Sequence, residues 1–354
     1  MSRTPAGLLG ELRVWDHRPH RAPTAFRGYP GRGVLPNIPG VSISPDGNWV
    51  ATLIDDPPQS PEQFVRVCSA VTGAERYRVP GGGRDGAVKF SPDGRWLAVS
   101  STLGFVVCRA DTGADHYRVR FEEGFQNLIV PVGFSPDGRY LAVGVENAGT
   151  VWIHDLVSRR QIRTWKLGRD DLGDSVFSVA YSPDGGSLAI TSEFDGLSTW
   201  EVETGKFLWS VRVWGITLAA FSPDGHRLVT NGDHGVLIFD AHDGARRMTL
   251  SEGGPKGGNA YSCEYSADGS RLLTVQDDTL RLWDATNGHE LLTLRGEEVR
   301  AATIAATGHR IAYCSEDGFV RIIDYPSPEP VIGLDPKGLA GLPHFERRNT
   351  LTNL

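Results

Sequence analysis

Ser44-Pro45-Asp46-Gly47 recurs along the chain as Ser91-Pro92-Asp93-Gly94, Ser135-Pro136-Asp137-Gly138, Ser182-Pro183-Asp184-Gly185 and Ser222-Pro223-Asp224-Gly225, then decays to Ser266-Ala267-Asp268-Gly269 and Ala305-Ala306-Thr307-Gly308. The seven copies stand 39 to 47 residues apart. The tetrapeptide has a mechanical reading. Proline presets φ at the second turn position, aspartate caps nearby amides with its carboxylate, and glycine accepts the left-handed conformation that closes a tight hairpin. Each copy therefore joins two antiparallel strands.

The segment after each turn is strand-like: Trp96-Leu97-Ala98-Val99, Tyr140-Leu141-Ala142-Val143, Leu188-Ala189-Ile190-Thr191, Leu228-Val229-Thr230 and Ile311-Ala312-Tyr313-Cys314. Such continuous apolar runs require burial on both faces. A third strand with two-residue alternation comes next, at Phe64 to Cys68, Phe105 to Cys108, Thr150 to Ile153, Leu197 to Trp200, Val236 to Phe239, Leu280 to Trp283 and Val320 to Ile323. It is often closed by a glycine turn, at Thr72-Gly73, Thr112-Gly113, Thr204-Gly205, Asp243-Gly244 and Asn287-Gly288. A more polar fourth strand, such as Glu290-Leu291-Leu292-Thr293-Leu294, suits an outer edge that meets water.

Four short antiparallel strands per repeat, with no helical periodicity between them, describe the blade of a β-propeller. A lone blade leaves its apolar faces in water. Seven stacked around an axis supply the missing partners, and closing the ring removes the exposed ends. The expected fold is all-β: a seven-bladed propeller of four-stranded blades.

The chain resembles the WD-repeat β-propeller family. The resemblance rests on Leu280-Arg281-Leu282-Trp283-Asp284 followed by Thr286-Asn287-Gly288, on partial copies at Ile238-Phe239-Asp240 and Ile322-Ile323-Asp324, and on the Ser-Pro-Asp-Gly turns. It spans roughly residues 30 to 335. The chain also departs from the family pattern. The Gly-His pair before the first strand is missing throughout, and the turn aspartate six residues before the Trp position survives only as Asp233, Asp277 and Asp317. The family's buried Asp, His, Ser and Trp hydrogen-bond network is thus incomplete, which shifts the expected stabilisation toward apolar packing. Within it, Asp233, Asp277, Asp317, Trp283 and Asp284 are read as structural.

The ends are read separately. Leu12-Arg13-Val14-Trp15-Asp16 running on to Arg27-Gly28 matches Leu280 to Asp284 running on to Arg295-Gly296 at one constant offset, so the N-terminus is a half-repeat of third and fourth strands. Family members close the ring with an N-terminal strand, and the last native candidate, Pro328-Glu329-Pro330-Val331-Ile332, is broken by proline. Residues around Thr24 to Arg27 are therefore expected to complete blade seven. The organisation is residues 1–30 as arm and closing strand, 31–335 as propeller and 336–354 as tail. An eight-bladed ring is the alternative, but residues 337–354 lack the turn for an eighth inner hairpin.

The 43 Asp and Glu against 36 Lys and Arg give a net charge of −7, and no basic field exists to attract phosphate backbones or anionic lipid. Cys68, Cys108, Cys263 and Cys314 sit singly inside apolar runs, which reads as small buried hydrophobes in a reducing compartment. No signal peptide or membrane span is apparent, so a cytoplasmic, monomeric propeller is expected.

Chemistry is hard to find in the sequence. His226 and His309 follow turn glycines, His242 and His289 sit at turns, and His17 and His20 lie in a Pro- and Arg-rich arm. His154 takes a Trp position on a third strand and is expected to be packed and satisfied. The aspartates of the repeated turns lie on different blades, whereas calcium needs six to eight converging oxygens. No nucleophile elbow, phosphate loop or zinc-protease motif is present, and Gly81-Gly82-Gly83 lacks a following helix. No catalytic residue, cofactor or metal is assigned.

What remains is surface. The first strands carry apolar residues at a spacing of three and then two, as at Val176, Val179 and Tyr181, at Ile216, Ala219 and Phe221, and at Val299, Ala302 and Ile304. That spacing breaks alternation and implies a bulge, which re-aims one side chain. The re-aimed positions are Pro39, Gly86, Val130, Phe177, Thr217, Tyr261 and Arg300. In WD-repeat proteins this face of the ring is the usual partner-binding surface. Phe177, Tyr261 and Arg300, with Trp214 in the loop leading into blade five, are therefore the candidate contacts of a non-enzymatic scaffold for a protein or peptide. The competing reading of Phe177 and Tyr261 is packing between blades. The competing class is a propeller enzyme or small-ligand propeller, of hydrolase type or like the gate of a prolyl oligopeptidase, because one fold hosts many functions.

Overall fold

A computed structural model describes residues 24–27, 40–54, 64–81, 87–101, 104–120, 129–145, 149–167, 174–232, 235–250, 260–276, 279–295, 299–306, 308–315 and 319–324. Their strands form seven four-stranded antiparallel sheets, numbered here as blades one to seven in chain order from Val41; six are up-and-down meanders, and the seventh joins the last three strands to the N-terminal strand Thr24–Arg27. The protein is a seven-bladed β-propeller.

The repeated turns fold as their chemistry dictates. In each of the six turns that keep both residues, the serine hydroxyl donates to the aspartate Oδ1 at 2.5–2.6 Å, as Ser91 does to Asp93 and Ser182 to Asp184. The same oxygen accepts the amide two residues on, and the serine Oγ accepts the amide that starts the second strand. The seven turn glycines have φ between 67° and 74°, a region closed to most side chains. Ala305 to Gly308 keeps the backbone bond from Gly308 N to Ala305 O at 2.8 Å, although Ala305 offers no hydroxyl. Blade three lacks the glycine of the outer turn, and Arg159 itself takes φ 56° there.

Burial is greatest in the second strands and least at the rim. Second strands are almost wholly buried, as in Arg271–Gln276, whereas fourth strands such as Glu75–Pro80 face water at most positions. Seven apolar clusters fill the seven seams between neighbouring blades. Leu97, Val99, Cys108 and Val67 join blades one and two. Leu272, Trp283, Ile238 and Leu250 join blades five and six. Val41, Ile43, Ala301, Ala312 and Ile322 join blade seven back to blade one. Arginines at the start of second strands cross the same seams. Arg271 donates to Gly308 O at 2.7 Å, and Arg310 to Gly47 O at 2.8 Å across the closing seam.

Closure is made by the N-terminal strand. Thr24–Arg27 pairs antiparallel with Phe319–Asp324, with Ala25 opposite Arg321 and Phe26 opposite Val320. Trp283 donates from Nε1 to Thr274 Oγ1 at 2.8 Å within blade six. Asp284 instead serves the following turn, accepting from Thr286 N and Asn287 Nδ2. Asp233, Asp277, Asp317 and the strand candidate Pro328 to Ile332 lie outside the described residues.

Candidate functional site

The first strands run from one face of the ring to the Ser-Pro-Asp-Gly turns on the other. Four of them are bulged near their starting ends. Val176 pairs with Ser192 but Ser178 with Thr191, which leaves Phe177 as the extra residue. Ala260 and Ser262 pair with consecutive partners around Tyr261, and Val299 and Ala301 do so around Arg300. The same shift falls between Ile129 and Val132 in blade three. The bulges thus sit at the positions expected from the apolar spacing. In blade five the equivalent Thr217 precedes the strand Ala219–Phe221, while Pro39 and Gly86 lie outside the described residues.

The side chains part company at this point. Phe177 is half-buried and lines a cavity of about 320 Å³ that runs along the propeller axis. Arg300 is half-buried and engaged. The Tyr261 side chain lies outside the described residues. Trp214 is 70% exposed on the loop that follows the fourth strand of blade four. Phe177, Tyr261 and Arg300 mark the same end of their blades, and Trp214 joins that face between blades four and five.

The Trp214 loop is clamped from beneath. Asn231, buried on the second strand of blade five, accepts at Oδ1 from Thr217 N, Thr217 Oγ1 and Leu218 N, each at 3.0 Å. Its Nδ2 donates to Gly215 O at 2.7 Å. An amide that uses both ends on one loop fixes the backbone that presents the indole. Beside it, Phe194 is 48% exposed on the turn between the second and third strands of blade four. That turn is held by Phe194 N donating to the buried Asp174 Oδ1 at 3.0 Å and by Arg212 Nη2 donating to Phe194 O at 3.2 Å. Sequence reading missed both Asn231 and Phe194. The signal for Asn231 was a lone amide just after the apolar pair Leu228-Val229 of a second strand, and Phe194 sat unremarked in the loop before Gly196.

Exposed apolar bulk is uneven around the ring. Among the described residues, Val157, Ile162, Phe194, Phe207, Leu208 and Trp214 all belong to blades three and four or to the loop into blade five. Only Val71 lies elsewhere.

The ionisable groups are occupied structurally. His154 is packed as expected, in edge contact with Phe105 at 4.9 Å, but only half satisfied: Nδ1 meets Tyr117 Oη at 3.0 Å and the buried Nε2 has no partner. Burial pushes its pKa down to about 4. The Ser182 hydroxyl and the Gly186 amide hold the Asp184 carboxyl below its ordinary value. No disulfide joins the four cysteines; Cys68 and Cys108 are buried and Cys263 and Cys314 partly so. Burial raises the Cys68 thiol to about 11 and the Cys108 thiol to about 12. Such thiols are poor nucleophiles. Among the described residues no cluster of three or more His, Cys, Asp or Glu could hold a metal ion, and no helix is long and apolar enough to cross a membrane.

Comparison with known proteins supports the architecture. A family model described as outer membrane protein assembly factor BamB matches residues 136–311, just under half of the chain. A chain in a crystal structure of a mitotic checkpoint complex superposes with a TM-score of 0.71 at 16% identity, covering 92% of this chain and 100% of that one. At that identity the likeness is one of fold. No curated protein matches the sequence.

Proposed function

We propose that the protein is a non-enzymatic scaffold of WD-repeat type that binds a protein or peptide over its bulged face, centred on blades four and five. The observation that carries this reading is Trp214, an exposed indole on a loop already fixed by Asn231. Tryptophan dominates interface energetics, and a pre-ordered loop avoids the entropy of ordering on contact. Phe194 and Phe177 extend the surface toward the axis, and Arg300 extends it around the ring. The WD assignment is supported by the Trp283 to Thr274 bond and the glycine turns after the third strands. A binding role fits the descriptions of both similar proteins, an assembly factor and a member of a complex. The absence of a catalytic role is supported by carboxylates tied into turns and by a buried, neutral imidazole. We propose a cytoplasmic location, which four cysteines outside disulfides support, and a monomer, and expect neither nucleic acid nor membrane as partner on the charge of −7.

The test is crosslinking and affinity purification from the native cell with wild type and with a Phe177→Ala, Trp214→Ala, Arg300→Ala triple variant. Recovery of the partner is expected to fall at least about tenfold, since one aromatic anchor is worth about 2 kcal/mol or more. Unchanged recovery by a variant with a native circular dichroism spectrum and melting temperature would overturn the site.

A further inference from the structure

The axial cavity has its own chemistry. One residue of each first strand, two before the serine position of the following turn, forms a ring around the lumen: Ser42, Lys89, Gly133, Ala180, Ala220, Glu264 and Thr303. Five of these are small, which keeps the lumen open. Lys89 and Glu264 are the only charged side chains among the lining residues, and they stand on blades two and six, nearly opposite each other. Glu264 Oε2 accepts from Thr303 Oγ1 at 2.9 Å and from Ile304 N at 3.2 Å, which links blades six and seven. Ser42 makes the equivalent link by accepting from Phe90 N. That structural duty uses one carboxylate oxygen. Among the described residues the hydrogen bonds of Glu264 all fall on Oε2, and the exposed Lys89 ammonium acts on the carboxylate only through its charge. Phe177 at the bulged end and Pro92 and Pro223 at the turn end bracket the space between them, and Val41, Val132 and Leu218 form apolar wall.

We infer that the axial cavity binds a zwitterionic small molecule of free amino acid or dipeptide size, its carboxylate held by Lys89, its ammonium by Glu264 and its apolar part against the wall that Phe177 closes. Two opposite charges in an otherwise uncharged lumen match a ligand that carries both. A cavity of about 320 Å³ lies at the small end of the range of about 300–1,000 Å³ typical of ligand sites. Burial raises the Glu264 carboxyl above its ordinary value and the Lys89 charge only partly offsets this, so a ligand ammonium would complete its charge balance. Phe177 is shared with the partner-binding face, but Lys89 and Glu264 are not, so variants at the two charges test the cavity without touching that face.

Isothermal titration with each common L-amino acid and with simple dipeptides tests the site, beside the N-acetylated and C-amidated form of each. At least one free zwitterion is expected to bind saturably, and blocking either end is expected to weaken it by about tenfold or more, the worth of one charge-assisted hydrogen bond. Glu264→Gln, which can still accept from Thr303 and Ile304, is expected to bind the free and N-acetylated forms alike. Lys89→Met is expected to bind acid and amide alike. Both variants are checked for a native melting curve. No saturable binding by any zwitterion, equal binding of free and blocked forms to wild type, or wild-type selectivity in both variants would each overturn the inference.

Discussion

His154 shows how much a single buried group can govern. Its imidazole is neutral in the folded protein because burial holds its pKa near 4, against 6.5 in the open chain. The unfolded chain therefore binds a proton first as the pH falls, and stability is lost progressively from about pH 6.5 down to about pH 4. The full gap is worth about 3 kcal/mol and the part lost by pH 5 about 2 kcal/mol. A His154→Phe variant should lose about 2 kcal/mol less than wild type between pH 7.5 and pH 5, read from urea midpoints. Equal losses in the two proteins would refute the assignment, since carboxylate effects are common to both. The sequence placed His154 on a buried third strand because alternation is local. It could not show that Tyr117 would bond Nδ1 from the neighbouring blade, because that contact depends on how two sheets pack. Asn231 was hidden for a similar reason: its importance lies in a loop that returns to it only after the blade has folded.

Turns and bulges were legible because their causes lie within a few residues. The Ser-Pro-Asp-Gly chemistry forces the same bonded turn in blade after blade, and the three-then-two apolar spacing forces an extra residue into the first strand. Arg159 was not legible: the backbone of blade three adopts the left-handed turn without the glycine that signals it elsewhere. Ring closure was legible from the constant offset between the N-terminal half-repeat and blade six. It yields a register that can be tested directly. Ala25 faces Arg321, so Ala25→Cys with Arg321→Cys should crosslink under mild oxidation, with the bridged peptides found by mass spectrometry. A bridge closing a loop of nearly the whole chain should add roughly 2–4 kcal/mol to stability. Shifting one partner to Ile322→Cys should sharply reduce crosslinking, because a one-residue slip turns the side chain to the other face. Crosslinking of the shifted pair in preference to the first would discredit the closing strand's register.

At the scale of the ring, stability is distributed over seams rather than held in one core. Each seam is a separate apolar cluster between two sheets, and no blade buries both faces until it has two neighbours. The seams differ in bulk. Blades five and six meet through leucines, Tyr265 and Trp283, whereas blade seven meets blade one through Ala70, Ala301, Ala305 and Ala312 with a few valines and isoleucines. Smaller side chains bury less apolar area, at roughly 25 cal/mol per Å², so among the described residues the closing seam gains less from its apolar cluster than the seam between blades five and six, and the ring should open there more readily. A fragment of residues 31–250, blades one to five without a partner for either end, exposes two apolar sheet faces and is expected to aggregate or to lack a cooperative melt. A soluble fragment with a sharp thermal transition would mean that single blades or open arcs are stable on their own. In that case closure would not be what holds the propeller, and the cavity on its axis would not depend on the ring being complete.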